Sequence, residues 1–324
     1  MPRLRLCHLP DDVLRIISEY CNVETRCAVT CTNSRLNSVF LGIVKLTEHS
    51  SERFLVHSIF RERIRARGGG TRSNLHLHLK MREFREPDID ILNSVRSVFV
   101  YHRRKRYLPL AWQCNLIRIQ NLTELQMSGD DICDVSALVV LAKLTYLDLS
   151  KTKISDASFL AGLKNLTYLD LSHTLVHNVS ALAGATRLKI LDLRHTNVTD
   201  MSAMKGLTEL TDLYLSFTQV SDLSALADLK KLNHLNLNNT RVSDVSALAS
   251  TDLVYLDLTS TQVSDVSALA GLSSLVLLSL DSTNVSDVSA LARLWHLTYL
   301  YLKYTRVTNV SSLKHLTGLK YLDI

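Results

Sequence analysis

Proline and glycine are scarce in this chain, four and ten in 324 residues, which excludes a collagen-like or Pro/Gly-rich disordered protein. No apolar run is long enough to cross a bilayer as a helix, so no membrane partner is expected. The six cysteines (Cys7, Cys21, Cys27, Cys31, Cys114 and Cys133) include no CxxC pair; the paired spacing of a zinc site is absent, and buried free thiols are expected. There is no phosphate-cradling glycine loop and no recognised nucleophile setting, so the chain reads as a non-enzyme that needs no cofactor and no metal. The start, MPRLRLCHLPDD, has no continuous apolar segment after its arginines. No secretory signal is expected, which places the protein in the cytoplasm or nucleus.

What is abundant is one pattern, LxxLxLxxTxVxDVSALxxLxx. Its opening leucines stand at Leu122, Leu144, Leu166, Leu188, Leu210, Leu232, Leu253, Leu275, Leu297 and Leu319, each step 22 residues except the 21 between Leu232 and Leu253. A fixed period in the twenties with leucines at positions 1, 4 and 6 resembles the leucine-rich repeat. The resemblance implies an α/β leucine-rich-repeat solenoid, a horseshoe with a parallel sheet on its concave face, over residues 122–324. No unit buries its leucines alone, so stacking must supply the core.

Three further columns run through the units. A threonine recurs at Thr152, Thr174, Thr196, Thr218, Thr240, Thr261, Thr283 and Thr305, where better-known members of this repeat class usually carry Asn; we expect a ladder of hydroxyls bonded to the turn backbone of adjacent coils. Two residues on, an apolar residue from Ile132 to Val307 returns to the core. Then Asp recurs at 134, 156, 200, 222, 244, 265 and 287, with Asn178 and Asn309 in its place twice. One carboxylate per coil is far from the six to eight oxygens of a calcium site, and a cap on a short helical turn, made by the Asp or the Ser two residues later, fits every copy including the Asn ones.

Charge divides the chain. Residues 1–121 hold 21 Lys+Arg against 11 Asp+Glu, and residues 122–324 hold 16 against 20. Residues 1–45 read as a small helical domain, with Asp11 and Asp12 in a first turn and Val13, Leu14, Ile16, Ile17 and Tyr20 at helical spacing. A second helix is expected from near Glu24 and a third from near Thr32. The stretches LPDDVLRIISEY and TRCAVTCTNSRLNSVF resemble an F-box, whose LPxxxLxxI opening matches Leu9, Pro10, Leu14 and Ile17, with Leu36 at a later position where the family usually has an aromatic residue. The resemblance implies docking of a Skp-type adaptor, and through it a cullin ubiquitin ligase, on Leu9, Pro10, Val13, Leu14, Ile17 and Leu36. Residues 46–71 continue as a helical linker through Phe54, Leu55, Ile59, Phe60 and Ile64 to a hinge at Gly68, Gly69 and Gly70. Residues 72–121 read as degenerate repeats: LHLHLK at 75–80 alternates as a strand, and Val95, Val98 and Val100 keep the LxxLxL frame. The basic run Arg103, Arg104, Lys105, Arg106 is a candidate nuclear-import signal.

The variable positions carry the functional information. Positions 3, 5 and 7 of each unit project away from the leucines onto the concave face, with position 8 at its rim. All eight repeat tyrosines fall there: Tyr146, Tyr168, Tyr255, Tyr299 and Tyr321 at position 3, Tyr214 and Tyr301 at position 5, Tyr304 at position 8. Beside them stand Asp148, Asp170, Asp192, Asp257 and Asp323 at position 5. An acidic, aromatic-lined groove suits a basic protein or peptide and disfavours nucleic acid, whose phosphates the carboxylates repel. Tyr146, Asp148, Tyr168, Asp170 and Asp192 are the expected centre of contact. His173 and His195, both at position 8, are expected to approach each other by periodicity alone. Two other readings remain open. One is a scaffold or phosphatase-type regulatory subunit, since 22-residue repeats occur in a phosphatase-binding regulator. The other is a surface or adhesion protein, since bacterial internalins carry similar repeats and Asn121, Asn165, Asn178, Asn197, Asn284 and Asn309 each open an NxS/T sequon.

Overall fold

The computed structural model describes residues 121–129 and 132–324 in full, and before them only the strand backbone of residues 28–31, 42–46, 75–79 and 95–101. The chain forms two compact units, Met1–Leu147 and Asp148–Ile324.

In the first unit β1 (Ala28–Cys31) pairs antiparallel with β2 (Gly42–Leu46). From there β2, β3 (Leu75–Leu79), β4 (Val95–Tyr101) and β5 (Glu124–Ser128) pair in order, all parallel. The register Val98↔Leu125 and Val100↔Met127 aligns β4 with the first complete unit. β1 falls where a second helix was expected from near Glu24. Its β-branched Val29 and Thr30, and Ile43 and Val44 in β2, suit a pleated ladder better than a helix. Leu9, Pro10, Val13, Leu14, Ile17 and Leu36, the helix expected over Phe54 to Ile64, the glycine hinge and the Arg103–Arg106 run lie outside the described residues.

β6 (Tyr146–Asp148) spans the join of the two units. The second unit is a solenoid of three-residue strands: β7 (Tyr168–Asp170), β8 (Ile190–Asp192), β9 (Asp212–Tyr214), β10 (His234–Asn236), β11 (Tyr255–Asp257), β12 (Leu277–Ser279), β13 (Tyr299–Tyr301) and β14 (Tyr321–Asp323). Each pairs in parallel with the next, and identical unit positions face each other, as in Leu169↔Leu191 and Leu213↔Leu235. The leucines at positions 1, 4 and 6 from Leu166 to Leu302 and the apolar column from Val176 to Val285 are fully buried, whereas Leu322 of the last strand is 37% exposed. Coil on coil, they make one continuous core.

The return limb is not α-helical. Each coil carries a 3-10 turn of three to five residues beginning at the Ser of DVSAL, from Ser158–Gly162 to Ser311–His315. A 22-residue circuit that spends its length on a strand and two corners leaves room for i→i+3 bonding only. The Asp column starts these turns as expected: its Oδ1 accepts the backbone N–H of the Ser two residues on, at 2.8–2.9 Å in every coil, including those with Asn178 and Asn309.

Two expectations are corrected. Each threonine hydroxyl donates within its own coil, to the carbonyl three residues earlier, as from Thr174 to Leu171 and Thr196 to Leu193, both at 2.6 Å. The ladder between coils is made by backbone instead, for example Leu171 N–H to Asp192 O and His173 N–H to Arg194 O. Cys133 is exposed rather than buried. It occupies position 12 of its unit, an edge site that is polar in every later coil.

Candidate functional site

The strand face and its edge are set by position 8. Lys151, His173, His195, Phe217, Asn239, Ser260, Ser282 and Tyr304 all sit there with φ between 55° and 59°, in the left-handed region where a side chain costs about 1 to 2 kcal/mol unless it is Gly, Asn or Asp. Gly129 holds the same position in the first full unit, with φ 146°. The conformation turns the chain off the strand while its N–H still reaches the next coil: Lys151, His173, His195 and Phe217 donate to the carbonyls of Ser172, Arg194, Ser216 and Asn238 at 2.8–3.0 Å. Position 8 thus becomes a strict column. The rings of His173 and His195 stack with centroids 4.2 Å apart, and those of His195 and Phe217 at 4.3 Å, all nearly parallel. Burial, then the neighbouring His173 and Arg194 charges, lowers the His195 pKa.

The position-5 aspartates are less available than their count suggests. Asp148, Asp192 and Asp257 are only 6%, 4% and 8% exposed. One oxygen of each, and of the part-buried Asp170, accepts the N–H two residues on, at 2.8–3.0 Å. Asn236 makes the same bond to Asn238, so the column first serves to close the strand end. Charge remains all the same. Burial, and then the carboxylates of Asp192 and Asp148, push the Asp170 pKa up.

Asp192 has its own counter-ion, Arg194, whose Nε lies 2.9–3.0 Å from both oxygens and whose guanidinium lies 5.5 Å from the Tyr214 ring centre. Alternation puts positions 5 and 7 on one face, so this pair was readable in the sequence. Tyr168, Tyr214 and Tyr255 are part-buried; burial first raises the pKa of Tyr214 and Tyr255. The Tyr255 ring stacks on His234 at 5.3 Å, and His234 Nδ1 lies 3.6 Å from Asp212.

Farther along, Tyr299, Tyr304 and Tyr321 are exposed. Tyr301 packs against Tyr321 at 5.2 Å, and Lys303 pairs with Asp323 at 2.8 Å. The expected residues therefore form two groups on the second unit's face, one around Asp170 to Tyr255 and one around Tyr299 to Asp323; Tyr146 belongs to the first unit. His173 and His195 come together as expected, but as a stack rather than converging donors. Among the described residues no group of three or more His, Cys, Asp or Glu is placed to hold a metal ion. The extension of the stack to Phe217 was missed in the sequence, although three large planar residues at one position of consecutive units are its signal.

A family model of leucine-rich repeats in paired copies matches residues 142–184, 186–228 and 208–250. An internalin, InlF, from Listeria monocytogenes is 31% identical, with 73% of this chain and 68% of that one covered and a TM-score of 0.69. The chain belongs to the leucine-rich-repeat family. Two more distant leucine-rich-repeat structures share the fold. A Leptospira interrogans protein is 19% identical over 78% of this chain and 72% of its own, with a TM-score of 0.59. The ectodomain of the Arabidopsis thaliana receptor kinase GASSHO1/SCHENGEN3, in complex with Casparian strip integrity factor 2, is 16% identical over 78% of this chain and 32% of its own, with a TM-score of 0.60. No curated protein matches the chain.

Proposed function

We propose that this leucine-rich-repeat protein is a non-catalytic recognition module that captures a protein segment bearing basic side chains on the strand face of its second unit. The observation that carries the reading is the line Tyr168, Asp170, Tyr214 and Tyr255, which the core does not need. The tyrosines offer rigid amphipathic area that is only part-buried. Burial, and then two neighbouring carboxylates, raise the Asp170 pKa. A partner's Lys or Arg over Asp170 relieves that repulsion. A cytoplasmic setting, as read from the sequence, accompanies this proposal.

The test is a displayed peptide library panned against the intact protein. Selected peptides should be enriched in Lys and Arg, and Tyr168→Ala with Asp170→Asn should weaken a selected peptide by about tenfold or more, near 1.4 kcal/mol. Asn keeps the acceptor that holds the Ser172 N–H, as Asn236 does for Asn238, so the fold is retained. A consensus without basic residues, or affinity unchanged in the variant, overturns the reading. The finer role that the LPDDVLRIISEY motif implies, a substrate-recognition adaptor for a cullin ligase, adds a second surface on Leu9, Pro10, Val13, Leu14, Ile17 and Leu36. Co-purification with a Skp adaptor decides it.

A further inference from the structure

One edge of the second unit, the corner between strand and 3-10 turn, has a composition unlike the strand face. From the coil opened by Leu144 to that opened by Leu297, positions 8, 10 and 12 hold no Asp or Glu. They hold exposed Lys151, Lys153, His173, His195 and Arg241, interleaved with exposed Leu175 and Phe217. The next carboxylates along the chain, at position 13, already accept hydrogen bonds from the Ser two residues on, as Asp156 and Asp200 do with both oxygens. Chance composition does not explain Phe217, which is 46% exposed at φ 59°. Neither burial nor backbone preference favours a phenyl ring there, and the same position one coil later is Asn239 at φ 55°.

We propose that this edge, from Lys151 to Arg241, docks an acidic segment of a protein partner, with Leu175 and Phe217 taking apolar side chains that interrupt its Asp and Glu residues. Charge complementarity selects the occupant. Ring geometry selects its class. His173, His195 and Phe217 stack face to face, so they turn edges outward, and imidazole edges carry N–H donors for carboxylates. Nucleic acid bases need ring faces to stack upon, and those faces are largely occupied by one another. The columnar spacing of one cation or ring per coil, about 4.8 Å, suits a segment running along the solenoid. This surface is separate from the proposed strand-face site and opposite to it in the charge it selects.

The experiment is a fluorescence-anisotropy titration of the intact protein with a labelled twelve-residue peptide alternating Glu and Leu, beside the same peptide with Gln for Glu. The acidic peptide should bind at least tenfold more tightly than the Gln peptide. The triple variant His173→Asn, His195→Asn, Phe217→Asn should weaken it about tenfold or more while unfolding at the same temperature or higher, because Asn already fills this backbone site at 239. A second variant, Lys153→Gln with Arg241→Gln, alters no ring and should weaken binding in the same sense. Tyr168→Ala with Asp170→Asn should leave it unchanged, which separates this surface from the strand face. The proposal is overturned if the acidic peptide does not bind, if both edge variants bind it as tightly as the parent, or if a single-stranded oligonucleotide of equal charge binds as well.

Discussion

Thr196 shows how one hydroxyl closes a coil. It is 3% exposed and its Oγ1 donates to the Leu193 carbonyl at 2.6 Å. Leu193 is itself fully buried, so without that donor a carbonyl at the corner is left under-satisfied away from water. Thr196→Val keeps the shape and removes the bond; it should cost about 1 to 3 kcal/mol, read as a shift in the urea midpoint at unchanged slope. A cost near zero would mean that water or backbone replaces the hydroxyl. The same threonine was assigned in the sequence to a bond between coils. Residue type and burial were legible there, whereas the acceptor depends on where the left-handed residue before it, His195 at φ 55°, aims the chain.

At the scale of the element, the Asp column that starts each 3-10 turn makes stability depend on pH. The Ser158, Ser202, Ser246 and Ser289 backbone N–H groups, and then their hydroxyls, hold Asp156, Asp200, Asp244 and Asp287 below the ordinary carboxylate value of 3.8. A pKa lower in the folded state means stability that is present above 3.8 and lost as pH falls through the folded value. Replacing these four by Asn keeps the Oδ1 acceptor, as Asn178 does for Ser180, and removes the titration. Urea midpoints at pH 7 and pH 2.5 should therefore differ less in the variant than in the parent. Asp170 runs the other way, because its raised value relieves strain as pH falls, but it is common to both proteins and cancels in the comparison. An equal pH dependence would remove the cap column from the acid limb.

For the molecule as a whole, the second unit is close to one-dimensional, each coil resting on its two neighbours. Leu213 is fully buried and pairs in register with Leu191 and Leu235. Leu213→Ala should cost about 2 to 5 kcal/mol, concentrated where the cavity lies. Hydrogen exchange should speed up at the amides of β8, β9 and β10 while those of β13 keep their protection. Uniform loss across the solenoid would show that the coils open as one cooperative body instead.

The amino-acid sequence by itself determined the repeat, its phase, the buried leucines and the face on which the tyrosines stand, because a period of 22 and an alternation of two leave one way to bury positions 1, 4 and 6. It also marked the Asp column as caps, since Asn in the same place serves equally. Only the tertiary structure decided the rest. The return limbs are 3-10, the strand-face aspartates are turned partly inward, and the threonines bond within their coils. β1 lies where local spacing suggested a helix. His173, His195 and Phe217 form a stack because a left-handed backbone at position 8, repeated coil after coil, brings residues 22 apart in the chain into ring contact. Spacing along the chain orders the columns, but three-dimensional corner geometry sets which atoms within them meet.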